Sequence, residues 1–382
     1  MKSYAFLSVF FIFLTNPIQI GQYGVERYIP ILLGTNVAFF IFIINKNGKA
    51  DTKLITGCYL FFALIIGCLA IGSSKSNEFF YDFTKIYLCF LLFYLLAEQI
   101  RYLSFEKISK LISTSATLAI LVLSVELLIR ILTTSNVISV LLGNFYELKV
   151  NSPFFSDTNA VGLFALSYFI VIYFYKDLTK DKIKYNIMLS LLFIFILTSL
   201  SRAAIITAIF LVLYKFYLKC NSKLKLILNF FLFLCFFVSL HILVKFVGDD
   251  GSGATKLLII ESVINKYDQI NLINLLFGFG ITDGSYIYSY QEGEYSHLLI
   301  TMLLGHVGVI GLFLYFIFFI YIALISKGRT LFASLPFFVV GLSYLHPFLE
   351  SIFFSHGVIM GVYLKLKNEK FIPVDNYLIS KL

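Results

Sequence analysis

The stretch from Ser296 to Ile325 reads SHLLITMLLGHVGVIGLFLYFIFFIYIALI and contains no Asp, Glu, Lys or Arg. An α-helix needs about 20 mostly apolar residues to cross the hydrocarbon core of a bilayer, and this stretch is longer than that. Only helices and closed barrels satisfy all their backbone hydrogen bonds inside lipid. The stretch therefore predicts a transmembrane helix.

Comparable apolar runs recur from one end of the chain to the other. They are Ser3–Ile20, Tyr28–Ile44, Leu54–Gly72, Phe83–Ala97, Leu111–Thr133, Ala160–Tyr175, Ile187–Leu200, Ala203–Leu218, Leu226–Val247, Leu331–Leu345 and Ile352–Leu366. The first run is followed by Asn16 and Pro17 rather than by a small-residue cleavage pattern, so we expect a retained helix and not a signal peptide. The sequence thus predicts an all-α polytopic membrane protein with about twelve transmembrane helices, in a single integral membrane domain over residues 1–382.

Composition agrees with this fold class. Of the 382 residues, 59% are hydrophobic and only 13% are charged, whereas about a quarter of the residues in soluble domains are charged. This excludes soluble enzymes, nucleic-acid binders and disordered scaffolds, because the chain has too few polar residues to build a surface that faces water. The five cysteines show no CxxC spacing, so we expect packing residues and neither a disulfide framework nor a metal site.

The positive charges predict the orientation of the chain. With both termini in the cytoplasm, 21 of the 30 basic residues fall on cytoplasmic segments, as the positive-inside rule requires. The net charge of +9 is therefore assigned to loops at the membrane. This topology leaves two long outer loops, 134–159 and 248–295, and long loops in compact proteins are usually functional or disordered.

Arg202 is a candidate for binding an anionic group. It lies in Thr198-Ser199-Leu200-Ser201-Arg202, between two closely spaced apolar runs, at the predicted outer mouth of the bundle. A guanidinium at this position suits bidentate binding of a phosphate or diphosphate on a lipid headgroup. An Arg that extends to the interface as a topological anchor fits the position as well.

His297 lies at the start of the predicted tenth helix, two residues after Tyr295. An imidazole at the membrane surface can act as a general base or orient a sugar hydroxyl. A simple interfacial residue with a hydrogen-bond partner fits the position equally well. The glycines farther along the helix are expected to permit close helix packing.

Asp157 and Asn159 lie where the first outer loop enters the sixth helix. Asp and Asn are favoured as helix N-caps, and a cap can also bind a ligand. Glu126 and Arg130 are one helical turn apart on the fifth helix, which predicts a structural ion pair.

Four further residues are candidates at the outer face: His346 and Glu350 for lining a polar cavity, and Lys256 and Lys266 for attracting an anionic headgroup, although loop lysines are usually solvated. His346 and Glu350 lie in the last outer turn, and Lys256 and Lys266 lie in the second long loop. The sequence contains neither a P-loop nor an HExxH motif, so it favours neither ATP-driven transport nor metal-dependent hydrolysis. We predict no cofactor and no metal.

Taken together, the stretches at the outer face resemble those of the O-antigen polymerase and ligase superfamily of bacterial surface-polysaccharide proteins, most closely the Wzy-type polymerases. Phe155–Asn159 resembles the family's Phe-x-Asp-x-Asn stretch, and Thr198–Arg202 resembles its Thr-x-Ser-Arg stretch. Gly278–Gly280, followed by His297 and the glycines of Gly305–Gly311, resembles its third stretch. The similarity covers residues 152–324, and Leu298 departs from the Asn that often follows the family's His.

The resemblance implies a metal-independent membrane glycosyltransferase with a GT-C-like bundle in the bacterial inner membrane, active at the periplasmic face. Its substrate would be an oligosaccharide linked to undecaprenyl diphosphate in the membrane lipid. A flippase and a chain-length regulator would be its protein partners. Arg202 would bind the diphosphate, His297 or Asp157 would act as base, and Asn159, Ser201 and Tyr295 would bind substrate.

Two other functions are compatible with the sequence. An O-antigen ligase shares the fold and the donor but transfers the polymer to lipid A–core. A secondary transporter or flippase also commonly has twelve helices with both termini inside, but that class predicts internal repeats and charged residues near the bilayer midplane.

Overall fold

A computed structural model describes residues 52–73, 76–133, 152–155, 157–226, 229, 251–291 and 294–369. Within these ranges the regular structure is entirely helical, which confirms the predicted all-α class. The predicted spans Ser3–Ile20 and Tyr28–Ile44, nearly all of Leu226–Val247, and both chain ends lie outside the described residues. The count of twelve transmembrane helices therefore stays a prediction.

The helices are numbered in chain order within the described ranges. They are α1 (Thr52–Gly72), α2 (Ser76–Tyr102), α3 (Phe105–Thr133), α4 (Thr158–Tyr175), α5 (Lys182–Thr198), α6 (Arg202–Lys219), α7 (Gly251–Tyr267), α8 (Leu272–Phe277), α9 (Ile281–Ile287), α10 (Leu299–Ile325), α11 (Leu331–Gly341) and α12 (Glu350–Asn368). Among the described residues, α1, α2, α3, α4 and α10 contain stretches long and apolar enough to cross a membrane. The protein is thus compatible with a polytopic membrane fold.

The structure corrects two predicted boundaries and agrees with a third. Helix α10 begins at Leu299, so His297 precedes the helix instead of opening it. Helix α11 ends at Gly341, four residues before the predicted Leu345, because hydropathy does not reveal where an apolar segment leaves the helical conformation. The predicted division of Ile187–Leu218 is close to the observed one, since Ser201 is the N-cap of α6.

Aromatic side chains form the centre of the bundle, between α2, α10 and α12. The ring centroids of Phe90 and Phe353 are 5.4 Å apart, and the Phe318 ring meets the Phe93 ring edge to face at 5.6 Å. These four side chains are almost completely buried. Offset and edge-to-face contacts of this kind add specificity to packing, so α10 is fixed against α2 and α12.

Helix α10 is broken at Gly308, whose φ of 67° and ψ of −170° are not helical. The backbone N–H of Phe279 donates to the carbonyl of Gly305 at 2.7 Å, and that of Gly280 donates to the carbonyl of His306 at 3.1 Å. These bonds satisfy carbonyls that lie just before the break. The Gly278–Gly280 stretch is therefore a structural partner of the broken helix.

The second predicted outer loop, 248–295, contains α7, α8 and α9. Asp82 of α2 is fully buried, and its Oδ2 accepts a hydrogen bond of 2.6 Å from the backbone N–H of Ile281. A side chain from a distant helix thus caps the start of α9. The start of α9, which lies next to the break in α10, is consequently held against the bundle.

The predicted pair between Glu126 and Arg130 is present on α3. Arg130 Nε lies 3.2 Å from Glu126 Oε1, and each side chain is only 1% exposed. Ser152 Oγ donates to the same Glu126 oxygen at 2.9 Å. The pair has a structural role, because it anchors the segment that leads into α4 and Asp157.

Candidate functional site

Asp157 is the N-cap of α4. Its backbone is extended, and its Oδ1 accepts a hydrogen bond of 2.8 Å from the backbone N–H of Ala160. Asn159 Nδ2 donates to Asp157 Oδ2 at 3.4 Å. A short acidic side chain at this position satisfies a backbone donor that the helix leaves unpaired. The cap holds the second carboxylate oxygen in a fixed direction.

Arg202 is the first residue of α6 and is exposed, whereas Ser201 just before it is buried. The turn that precedes it packs against α4 at Gly162. A Cβ placed on Gly162 would lie 2.7 Å from Ser199 Oγ and 2.9 Å from Ser201 Cβ. Only glycine permits such an approach. The stretches containing Asp157 and Arg202 therefore meet at the same end of the bundle.

His297 lies between two tyrosine rings. Its centroid is 4.6 Å from that of Tyr295 in an edge-to-face arrangement and 5.7 Å from that of Tyr344. The backbone carbonyl of His297 accepts a hydrogen bond of 3.2 Å from Leu345 N–H. This bond joins the segment before α10 to the segment after α11, so the imidazole is held by both.

Tyr344 connects His297 to the start of α4. Its hydroxyl hydrogen-bonds to the Asp157 carboxylate and to the Tyr295 hydroxyl. We call Asp157, Tyr295, His297 and Tyr344 the outer cluster. In this cluster the phenol of Tyr344 lies between the two predicted bases, Asp157 and His297.

Burial determines the protonation of the outer cluster. Burial lowers the pKa of His297 below its usual value, although the charges of Asp157 and Glu294 oppose this effect. Burial and then the Asp157 charge raise the pKa of Tyr344. At neutral pH the imidazole is therefore neutral and the phenol keeps its proton. The buried His297 Nδ1 has no hydrogen-bond partner among the described residues.

His346 and Glu350, which we predicted to line the same cavity, belong to a different group. The His346 ring lies 5.1 Å from that of His306, and His306 Nε2 is 2.8 Å from Ser285 Oγ. Lys85 acts electrostatically on both imidazoles. We call His306, His346 and Lys85 the inner cluster. Glu350, the first residue of α12, acts electrostatically on Cys89, close to this group.

The two predicted lysines lie on α7 and differ in their surroundings. Lys256 is close enough to His297 for its charge to lower the pKa of the imidazole. Lys266 Nζ donates a hydrogen bond of 2.5 Å to the backbone carbonyl of Ile287 at the end of α9. Lys256 is thus near the outer cluster, whereas Lys266 links α7 to α9.

Sequence analysis missed Tyr344, Asp82 and the pairing of His306 with His346. Tyr344 was hidden because the predicted span continued to Leu345, which assigned its ring to a helix in the membrane. The sequence offered one signal for Tyr344, namely that it lies two residues before the candidate residue His346. Among the residues that the structure describes, no group of three His, Cys, Asp or Glu side chains could hold a metal ion.

Comparison of the chain with known family models gives no match. Comparison with curated proteins gives no significant match either.

Proposed function

We propose that the protein is a surface-polysaccharide polymerase of the Wzy type, an integral membrane glycosyltransferase with a GT-C-like bundle. One observation carries the proposal, namely the convergence of Asp157, Tyr344 and His297 beside the turn that leads into Arg202. The sequence resemblance singled out three of these residues on separate stretches. Their proximity is what a single reaction centre requires.

The reaction transfers a growing glycan from undecaprenyl diphosphate to an incoming lipid-linked repeat unit. A hydroxyl oxygen of the incoming sugar attacks the anomeric carbon, and the bond from that carbon to the diphosphate oxygen breaks. The hydroxyl proton passes to a base, and undecaprenyl diphosphate leaves with its negative charge. The chemistry therefore needs a cation for the leaving group and a base for the acceptor.

Arg202 is suited to the leaving group. Its side chain is exposed and it is the first residue of a helix of 18 residues. The start of a helix favours negative charge, and a guanidinium binds phosphate oxygens in pairs. The two effects act in the same direction on the departing diphosphate. Asn159, which is half-buried, would contact the same substrate, whereas Ser201 is only 2% exposed and would act through the turn that carries Arg202.

His297 is suited to the acceptor proton. Burial keeps the imidazole neutral, and only the neutral ring can accept a proton. The charge that forms on the ring is stabilised through space by the carboxylates of Asp157 and Glu294. We assign His297 as the base and Asp157 as the residue that stabilises its protonated form. Tyr295 packs against the ring and fixes its orientation.

Polymer length on a gel tests the proposal. In a strain lacking the gene, plasmid-borne Arg202→Ala should give only a single repeat unit on lipopolysaccharide core, whereas the parent gene should restore the full ladder. Arg202→Lys is the matched control, since it keeps the charge and loses paired hydrogen bonding; it should retain part of the ladder. Equal amounts of protein in the membrane fraction must accompany the comparison. A full ladder with Arg202→Ala would refute the role of Arg202.

A secondary transporter or flippase is the second candidate, and the break of α10 favours it. Broken helices beside buried ionisable groups are typical of transporter binding sites, and the inner cluster lies beside Gly308. Lipid-linked sugars in the deletion strain separate the functions. If the deleted gene encodes a polymerase, the core carries single repeat units. If it encodes a ligase, the core is bare and lipid-linked polymer accumulates. If it encodes a flippase, the core is bare and unpolymerised lipid-linked units accumulate on the cytoplasmic side.

The proposed setting is the bacterial inner membrane, with the outer cluster on the periplasmic side and both chain ends in the cytoplasm. A flippase would deliver the lipid-linked units to this face, and a chain-length regulator would act with the polymerase. The positive-inside distribution of Lys and Arg supports the orientation.

A further inference from the structure

A cleft of about 680 Å³ lies between α7 and α9, outside the outer cluster. One wall is the face of α7 that carries Glu261 and Asn265, which are four residues apart and therefore lie on the same side of the helix. The opposite wall carries Tyr286, Tyr290 and Gln291. Tyr286 is 48% exposed, so its ring is available to a ligand.

Hydrogen bonds hold the two walls of the cleft in place. Lys266 Nζ donates to the backbone carbonyl of Ile287, which joins α7 to the end of α9. Ser289 Oγ donates to the carbonyl of Gln291 at 2.8 Å and accepts a hydrogen bond from its N–H at 3.3 Å. The polar lining therefore belongs to an ordered cleft.

The cleft lies near the outer cluster. Ser296 N–H donates to the carbonyl of Ser285 at 2.8 Å, which brings the segment before α10 against α9. Tyr286 lies near enough to Tyr295 to interact with it electrostatically, and Lys256, on the same helix as Glu261, does so with His297. A ligand in the cleft would extend from the proposed reaction centre.

The chemistry of the lining points to one class of ligand. A pyranose ring presents C–H groups on its faces, which pack on aromatic rings, and hydroxyls at its edge, which need donors and acceptors. Tyrosines supply the first, whereas the Glu261 carboxylate and the amides of Asn265 and Gln291 supply the second. The Lys266 ammonium already donates to a backbone carbonyl and has Glu261 as a neighbour in the lining, so the cleft does not favour an anion.

A second cavity shows the contrast. The groove of about 410 Å³ between α10 and α11 is lined almost entirely by apolar side chains, with Leu299, Phe316 and Phe338 among them. Its one hydroxyl side chain, Ser334, is already hydrogen-bonded to His356 and to the Thr330 carbonyl, and a buried sugar hydroxyl without a partner is costly. The polar lining therefore favours the cleft on α7 over this groove as a site for a saccharide.

We propose that the cleft between α7 and α9 binds an uncharged pyranose residue of an oligosaccharide. This inference rests on the proposed function for the identity of the glycan, which would be the part of the lipid-linked substrate next to the reacting sugar. The side chains of Tyr286, Glu261 and Asn265 would be its main contacts.

Fluorescence tests the cleft directly, because the chain contains no Trp. Tyr286→Trp introduces a single reporter in the cleft, and Tyr267→Trp is a matched control on the exposed end of α7, outside the lining. The probe is the oligosaccharide that mild acid releases from the strain's lipid-linked pool, added to the full chain in nanodiscs. We expect a saturable change in emission for Tyr286→Trp and none for Tyr267→Trp. No change in either variant, or the same change in both, would overturn the proposal.

A second measurement avoids the Trp substitution. Saturation-transfer NMR of the unmodified chain with the same oligosaccharide should show contact with sugar protons, and Glu261→Gln or Asn265→Ala should weaken binding at least tenfold. Unchanged affinity in both variants would contradict the assignment. The two proposals can fail separately. If Arg202→Ala loses polymer but the cleft binds no saccharide, only the inference about the cleft is refuted. If the cleft binds saccharide but Arg202→Ala has no effect on polymer, only the polymerase proposal is refuted.

Discussion

Gly162 holds the start of α4 against the turn that carries Arg202, and Gly162→Ala should separate the two. The added Cβ would lie 2.7 Å from Ser199 Oγ, where ordinary contacts begin at 3.4 Å, so the turn must move by roughly 0.7 Å. Ser199 cannot rotate away freely, because it is fully buried and its Oγ donates to the carbonyl of Ile196 at 2.7 Å. Overpacking of this kind costs about 1–3 kcal/mol.

The effect on activity should exceed the effect on stability. A displacement near 1 Å in a reaction centre can lower a rate about 100-fold, and the shift at Ser199 moves Arg202 relative to Asp157. We expect Gly162→Ala to remain in the membrane, to melt at a lower temperature, and to lose most of the polymer ladder. Polymer formed per minute from purified lipid-linked units, together with melting in detergent, measures both effects.

Two variants make the result specific. Gly67→Ala on α1 is the matched control, since a Cβ there has no atom within 4 Å, and it should leave both the melting temperature and the rate unchanged. Gly162→Ala combined with Ser199→Ala removes the closest atom and should recover part of the activity, because substitutions in direct contact are not additive. Normal rate and stability in Gly162→Ala alone would refute the reasoning.

Two further predictions concern the outer cluster. Tyr344→Phe removes the hydrogen bond to the Asp157 carboxylate, and a hydrogen bond to a charged group is worth about 1.5–3 kcal/mol. We expect a lower rate of polymer formation with the protein still folded. An unchanged rate would contradict the link between Asp157 and His297. The pH profile of activity should follow the fraction of neutral imidazole, because a protonated His297 cannot act as a base. Since burial lowers the pKa of His297, activity should stay constant as the pH falls through 6.5 and decline only at more acidic values. The acidic decline should be absent from the residual activity of His297→Gln, and a decline centred above 6.5 in the parent would exclude His297 as the base.

Hydropathy predicted the helices of the bundle well because the cost of burying a charge in lipid limits each span to an apolar run. It predicted neither the break at Gly308 nor the helices α7, α8 and α9. A break depends on whether another backbone supplies donors to the freed carbonyls, as Phe279 and Gly280 do. Such a partner lies far away in the sequence and leaves no local pattern.

The candidate site was partly predictable for a related reason. Asp157 could be predicted as a helix cap, since the residue preferences at helix starts are local. Tyr344 did not, because its value lies in a hydrogen bond to Asp157 that only the packing of α4 against the end of α11 creates. The inner pairing of His306 with His346 is invisible for the same reason, as the two residues are on different segments.

The three residues that we assign to catalysis share a position, because each lies at or just before the start of a helix. Asp157 caps α4, Arg202 opens α6, and His297 is two residues before α10. Each helix start carries a partial positive charge, so three such ends and a guanidinium face the same region. This field favours a diphosphate, which transfer from a lipid diphosphate requires, while burial keeps His297 neutral until it accepts the proton. In a membrane, where side-chain charges are costly, helix starts supply that field without adding a further buried ion.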